Sequence, residues 1–464
     1  MNHAVLDQEP LQALRRRVRW ELETLHYPAR PWVRPWPGGH QVIIIGAGQT
    51  GLAVAFALKR LMVEDVVILD ALPEDRSAVW TGFARMRTLR TPKHVLGPEL
   101  GVPSLSARAW FEARFGEAAW ASLARIPREA WQDYLDWLRD TLALPVRHGC
   151  AVTSIRPESE GFTVRAGETV WRARHVVLAT GMDGMGAWRA PAAIEPLPRH
   201  LWAHSAEGID FTALRGRRVA VIGAGAGAFD NAGMALEAGA ARVDMLVRRP
   251  ALPRSNPNRW MEFSGFLDHF SDLPDATRWR IIRHVIARNQ PPPQDSFSRC
   301  AAHANFHLHL GAPVLAARPG LLETPAGPVE TDFIIAATGI SIDPMARPEL
   351  AAIAPHIARW RDRYTPPAAE ADESLGAYPY LDGNFALTGD APWLSRIHTA
   401  GLAAFPSTGS TGGISFLGST ARRIAAGIAK SIFLHQADAH EADLRAYDEP
   451  ELTDLRLASQ GERR

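Results

Sequence analysis

An α/β fold containing two nucleotide-binding βαβ units is predicted by three features of the sequence. A β-branched strand, a glycine turn, a helix and a second buried strand follow one another between Gln41 and Leu69, and the same order recurs between Arg218 and Val247. Each unit is completed by a short apolar strand ending in Thr-Gly, at Val176 to Gly181 and at Phe333 to Gly339. The 464 residues leave ample length for such units, since about 150 residues per domain is the usual scale. Apolar residues make up 46% and charged residues 22%, which excludes disorder.

Composition narrows the partners. Lys plus Arg number 51 against 50 Asp plus Glu, so no basic field is available to recruit nucleic acid. Cys150 and Cys300 are too few and too far apart for a disulfide framework, a Cys-x-x-Cys zinc site or a paired dithiol, and a reducing cytoplasm is expected. Met1 to Gln8 lacks the apolar stretch of a signal peptide, and no apolar run reaches the roughly 18 residues that span a bilayer, so no membrane partner is expected.

Taken in order, Leu11, Leu14, Val18, Leu22 and Leu25 recur at spacings of three and four and predict an amphipathic docking helix. Its stripe offers a surface for a homo-oligomer. Pro28 to Gly39 is rich in Pro and Trp and reads as an extended arm. A Trp-rich helical region is expected from Arg108 to Leu142, with a strand pair around Val152 and Phe162 to Arg165. Later, Asn384 to Leu387 reads as a strand leading into Thr388-Gly389-Asp390, followed by a glycine-rich stretch to Gly413 and a helix from Ile414 to Ile428. The charged tail after Gln436 reads as a loosely docked helix.

Gly46-Ala47-Gly48-Gln49-Thr50-Gly51 is a G-x-G-x-x-G between a strand and a helix. Its first glycine permits the tight turn, its second lets a pyrophosphate approach the backbone, and its third lets helix and strand pack closely. The second strand ends at Asp70, whose carboxylate can accept both hydroxyls of an adenine ribose and would repel a 2'-phosphate, favouring FAD or NAD here. Gly223-Ala224-Gly225-Ala226-Gly227-Ala228 repeats the pattern with a small residue in the third place. Its second strand ends instead in Arg248 and Arg249, guanidinium forks able to pair with a 2'-phosphate at about 1.5 to 3 kcal/mol per bond. NADPH is therefore expected in the second unit. Two nucleotide cofactors in one chain point to electron transfer between them.

With these motifs, residues 40 to about 430 resemble the two-dinucleotide-binding flavoprotein superfamily, and within it the single-component flavin monooxygenases: flavin-containing, N-hydroxylating and Baeyer-Villiger enzymes. The supporting marks are both glycine turns, Thr180-Gly181, Thr338-Gly339, Gly389-Asp390 and His204-Ser205. That last pair matches part of a fingerprint preceding the second glycine turn, while Pro198, His200 and Gly208 depart from it. The resemblance implies a Rossmann-like FAD domain interrupted by a smaller NADPH domain, divided as 1–39 (helix and arm), 40–205 (FAD domain, first part), 206–340 (NADPH domain with a helical insertion at 255–310), 341–435 (FAD domain, second part) and 436–464 (tail). It implies that NADPH reduces FAD, that O2 adds at flavin C4a to give a (hydro)peroxide, and that oxygen passes to a small-molecule substrate. The broken fingerprint favours an amine nitrogen or soft heteroatom over a ketone. A flavin reductase or oxidase without oxygenation, and a flavin-bound redox sensor docking through the N-terminal helix, remain as alternatives.

The resemblance places Met86 to His94 at the flavin and substrate, which makes Arg90, Lys93 and His94 candidate catalytic groups, Trp80 a candidate flanking the flavin, and His398 a further candidate. Cys300, His303 and His307 would share one face of a helix in the insertion, yet without a carboxylate they do not form a metal site.

Overall fold

The computed structural model describes residues 8–25, 30–74, 79–82 and 84–454. Residues 455–464 of the expected tail, and the Met1 to Asp7 segment read for a signal peptide, lie outside the described residues.

The first sheet is built on β1 (His40–Ile45), β2 (Val66–Leu69), β3 (Val146–Arg147), β4 (Val152–Pro157), β5 (Phe162–Ala166) and β6 (Thr169–Leu178), in the spatial order β3-β2-β1-β6-β5-β4. Strands β3, β2, β1 and β6 run parallel, with Ile44 opposite both Ile68 and Val177, while β4 and β5 add an antiparallel edge. Val42 to Ile45 and Val66 to Leu69 are buried throughout, the continuous apolar run that a parallel strand covered on both faces requires. Helices Gln49–Arg60 and Ile414–His435 pack together over this sheet. The N-terminal helix Gln8–Leu25 docks its stripe through Val18, which is buried, while Leu25 at its end stays exposed. The arm lies on the body as expected: the Trp32 indole donates to the Leu61 carbonyl at 2.8 Å, and Arg34 pairs with Asp443 of the tail helix Ala437–Ala446 at 2.6 Å.

The chain leaves the first unit through β7 (Gly186–Trp188) and enters a second sheet at β8 (Trp202–His204). With β9 (Arg218–Ile222), β10 (Arg242–Val247), β11 (Phe306–Leu310) and β15 (Phe333–Ala336), β8 forms an all-parallel sheet in the order β11-β10-β9-β15-β8. Helix Ala226–Glu237 covers one face, with Val219, Val221 and Val243 beneath it. The other face is covered by a three-stranded antiparallel sheet, β12 (Ala316–Arg318), β13 (Leu321–Thr324) and β14 (Gly327–Glu330), whose Leu322 packs on Ala220, Ile222 and Leu246. The chain returns through β16 (Ile340–Ile342), which pairs antiparallel with β7, so both crossings between the units lie side by side.

Several expectations change. Residues 202–204, assigned by sequence to the first unit, form an edge of the second sheet. The 255–310 insertion gives up its last residues to β11, because β10 needs a parallel neighbour on its free side. Helix Gln294–Ala301 stops before His303, so Cys300, His303 and His307 share no helical face. Cys300 is buried with Sγ donating to the Phe229 carbonyl, and the neighbouring His309 bonds to Asp244 at 2.7 Å. The insertion helices pack through Trp279 and Ile282 onto Trp360, Phe405 and Phe416 of the returning chain. Asn384 and Phe385 form a turn, and of the expected strand only Ala386 and Leu387 make isolated antiparallel bridges. Phe385 has φ of 66°, and Asp382 Oδ1 accepts from the amides of Asn384 and Ala386 at 2.8 Å each, a geometry that breaks an extended run. The strand that joins the first sheet is β17 (Ile397–Thr399), parallel to β6 with Thr399 opposite Leu178.

His175 on β6 and His398 on β17 are both buried, with ring centroids 6.2 Å apart. Burial lowers the basicity of both, most strongly for His175, where the neighbouring His398 and Arg396 add to the effect. A group held neutral in the native state and protonated once unfolded takes stability away as pH falls through its unfolded value. Thermal unfolding measured from pH 7.5 down to 5.5 should therefore show stability falling below about pH 6.5, and His175→Gln should flatten that fall relative to its own pH 7.5 value.

Candidate functional site

The two glycine turns are built alike. Gly46 has φ of 105° and Gly223 has φ of 141°, conformations that a side chain disfavours. In each case a Cβ would also run into a carbonyl oxygen, that of Ala179 in the first unit and that of Ala337 in the second. Gly46 N donates to Leu69 at 2.7 Å and Gly223 N to Leu246 at 3.1 Å, while Ala179 N and Ala337 N donate back to Ile45 and Ile222 at 2.9 Å. The Thr180-Gly181 and Thr338-Gly339 strand ends thus sit against the turns they were expected to serve. A Cβ at Gly51 would collide with the Gly46 carbonyl, whereas Gly48, Gly225 and Gly227 have no atom within 4 Å of where a Cβ would stand. Those positions form open cradles beside the helix N-termini. Ala228 is buried, filling the third place of the second turn.

Helices Gln49–Arg60, Ala226–Glu237 and Ile414–His435 begin at N-caps Gly48, Gly225 and Gly413 with no side-chain cap. Their first amides are left for an anion, and the helix dipole favours negative charge there. These features fit the pyrophosphates of two dinucleotides. Asp70 is oriented from within the first turn, its Oδ2 accepting from Ala47 N at 2.7 Å and its Oδ1 from Leu72 N at 2.9 Å. Gln49 accepts from the Trp131 indole at 3.2 Å, and Thr50 is half-buried behind it. In the second unit Arg248 is exposed and Arg249 lies beside it, one of its Nη atoms 3.3 Å from the Ala287 carbonyl. Thr338 Oγ1 donates to Arg189 at 2.6 Å. His204 is buried at the end of β8, its ring 5.0 Å from that of Trp188, and burial lowers its basicity.

Gly389 and Asp390 do not reach the crevice. Ala386 pairs antiparallel with His398 and Leu387 N donates to Ile397 O at 2.8 Å, so residues after Leu387 run towards the end of β17 remote from Gly181. Asp390 is exposed and bonded to His356 at 2.9 Å. Beside the first Thr-Gly strand end stands Gly401, close to the Gly181 carbonyl and to Gly412. His398 points into the core, its Nδ1 donating to the Asn384 carbonyl at 2.9 Å.

The candidate catalytic segment separates into distinct roles. Arg90 reaches across to helix Ala226–Glu237, pairing with the buried Asp230 at 2.7 Å. The other Asp230 oxygen accepts from Ser296 Oγ at 2.7 Å, and the Arg90 carbonyl accepts from Arg125 at 3.0 Å and Arg259 at 2.6 Å. Arg87 and Arg299 meet at Glu237 close by. Arg90 is thus a tie between the two units and the insertion. Lys93 Nζ donates to the Trp120 carbonyl at 2.7 Å, and His94 is exposed. Trp80 is half-buried, its carbonyl accepting from Arg128. Sequence reasoning missed Asp230 and Glu237, whose only signal was their position on the helix that follows the second glycine turn.

Two like-built anion cradles on separate sheets, joined by the paired strands β7 and β16, define a two-dinucleotide-binding fold. The family model for pyridine nucleotide-disulphide oxidoreductases matches residues 43–264. The FAD-dependent urate hydroxylase of Xanthomonas campestris pv. campestris is 42% identical over 458 residues, covering 95% of this chain and 97% of that protein. The chain belongs to the family of flavin-dependent monooxygenases that includes that enzyme. Among solved structures, the ornithine N-hydroxylase of Kutzneria sp. 744 superposes with a TM-score of 0.67 at 19% identity, covering 85% of this chain and 99% of that one. The L-lysine 6-monooxygenase of Pseudomonas syringae gives 0.63 at 20% identity, covering 84% and 99%. At these identities they show a common fold.

Gly48→Val should fold normally yet fail to retain flavin, because its side chain enters an open cradle and not a packed contact; thermal unfolding and flavin absorbance of the purified protein check both halves. Asp230→Asn should keep its flavin but slow reduction by NADPH by about ten- to a hundredfold, the scale of a small misplacement of reacting groups, as read by stopped-flow absorbance.

Proposed function

We propose that this chain is an NADPH-dependent, FAD-containing monooxygenase whose substrate is a small nitrogen-rich heterocycle of the urate type. The 42% identity over nearly the whole chain to a urate hydroxylase carries this reading. FAD, when bound, accepts hydride from NADPH and activates O2 for transfer to the substrate. The chain's own part is placement. Gly48 and the first amides of helix Gln49–Arg60 would hold the FAD pyrophosphate, with Asp70 set for the ribose hydroxyls. Gly225, Ala226 and Gly227 would hold that of NADPH, and Arg248 and Arg249 its 2'-phosphate. The Arg90–Asp230 tie fixes the second unit against the first so that the two rings can face each other across the crevice. Trp80 and the 86–94 segment border the reacting end.

In this reading the FAD domain comprises the first sheet together with the returning chain that supplies β17, and the second sheet is the NADPH domain. Two cysteines without a disulfide favour a cytoplasmic setting, and among the described residues no helix is long and apolar enough to cross a membrane.

Purified protein supplied with NADPH, O2 and urate should consume NADPH in step with loss of urate and formation of an oxygenated product. Full NADPH consumption with all electrons recovered as hydrogen peroxide and urate untouched would overturn the substrate assignment. The double variant Arg248→Gln, Arg249→Gln should raise the KM for NADPH about ten- to a hundredfold while leaving that for NADH nearly unchanged.

A further inference from the structure

A second cavity adjoins the cofactor crevice, and one of its walls carries a buried carboxylate that nothing described so far uses. The cavity has a volume of about 220 Å³. It is lined by Lys93, Glu99, Arg108, Trp120, Trp131 and Ile414, among others. Two contacts fix its position. Trp131 bonds to Gln49 in the first glycine turn, and Ile414 opens helix Ile414–His435 two residues after the Gly412 that packs on Gly401. The cavity therefore lies against two of the uncapped helix N-termini.

Glu99 is only 4% exposed. Both of its oxygens accept from the amide of Gly97, at 2.9 Å each, and its own backbone amide also bonds to the carboxyl group. A buried carboxylate commonly gathers two or three donors or a cation, and no cation is among the groups that act on the Glu99 carboxyl. Lys93, on the cavity wall, donates to the carbonyls of Trp120 and Ala121. Tyr134, packed behind, gives its hydroxyl to Leu105. Glu99 thus retains acceptor capacity in a cavity that Trp120 and Trp131 also line. Burial holds its carboxyl above the ordinary carboxylate range, with the Gly97 amide pulling the other way.

We propose that this cavity is the substrate pocket and that Glu99 selects the substrate by accepting hydrogen bonds from adjacent ring N–H groups of a planar heterocycle stacked between Trp120 and Trp131. The inference rests on the monooxygenase reading above and specifies the group that recognises its substrate. An amino acid carrying both an ammonium and a carboxylate would need an anion clamp as well, and the lysine and arginine on the wall are already engaged, Lys93 with two carbonyls and Arg108 with Glu112 at 2.7 Å. A ring with adjoining N–H donors matches a single carboxylate between indoles.

The test uses the flavin-loaded protein without NADPH, so that binding is read apart from turnover. Urate and xanthine serve as heterocyclic probes and L-ornithine and cadaverine as aliphatic amines, followed by calorimetry and by quenching of tryptophan fluorescence. Wild type should bind urate with quenching and ignore the amines. Glu99→Leu should weaken urate at least tenfold, and the isosteric Glu99→Gln, which keeps one acceptor and preserves the packing, should weaken it several-fold with flavin content intact. Trp120→Leu should remove most of the quenching. Urate affinity unchanged in Glu99→Gln and Glu99→Leu, or saturable binding of an amine in place of urate, overturns the proposal. Wild-type protein that binds no flavin, or whose flavin NADPH cannot reduce, would instead overturn the enzymatic reading, so the two failures are distinguishable.

Discussion

The contact between the first glycine of each turn and the carbonyl of the Thr-Gly strand end is the constraint on which the molecule is organised. At Gly46 and Gly223 the chain turns from strand to helix so close to Ala179 and Ala337 that a methyl group has no room. That approach aims the following helix down the crevice. It also brings the Thr-Gly end of the third strand beside the cradle, and it leaves the helix amides uncovered at the point where phosphate arrives. The rest of each unit can be read as support. Parallel strands buried on both faces hold the turn rigid, and a helix packed over them fixes the direction of the dipole.

Much of this was legible because local chemistry dictated it. The strands at 66–69, 218–222 and 242–247 stand where the β-branched runs end, and both glycine turns could be recognised by what each position must do. Expectations failed where a tertiary partner decided the outcome. Residues 384–387 have a strand's composition, but Asp382 captures two amides and Phe385 turns left-handed. The chain is reversed there, and Gly389-Asp390 is carried away from the crevice. His303 and His307 have helical spacing, but β10 required a strand at 306–310. No periodicity within a segment reports the needs of a neighbour over 60 residues earlier in the chain.

The same reasoning explains why Arg90 was assigned to chemistry and found in architecture. A cation in a segment near the flavin looks catalytic when its partner is invisible. That partner, Asp230, is one of the few acids buried deep in a helix, and its second oxygen is held by Ser296 of the insertion. Three stretches distant in sequence therefore meet at one carboxylate. Removing one partner would leave a buried charge uncompensated. Relative placement of the two units is thus determined by ionic and hydrogen-bonded groups as much as by apolar packing, the latter being concentrated within each unit and around Trp279 and Trp360.

The paired crossing of β7 and β16 has a topological consequence. The second unit leaves the first and rejoins it through two adjacent hydrogen-bonded strands, so from the standpoint of the first unit some 150 residues amount to a long excursion whose ends already touch. Closing such an excursion adds little entropy per extra residue, and its length and content can change without disturbing the host sheet. A fold of this kind lends itself to grafting: a reductant-binding module of different nucleotide preference could be spliced in at the same two strands while the oxygen-handling half stayed as it is.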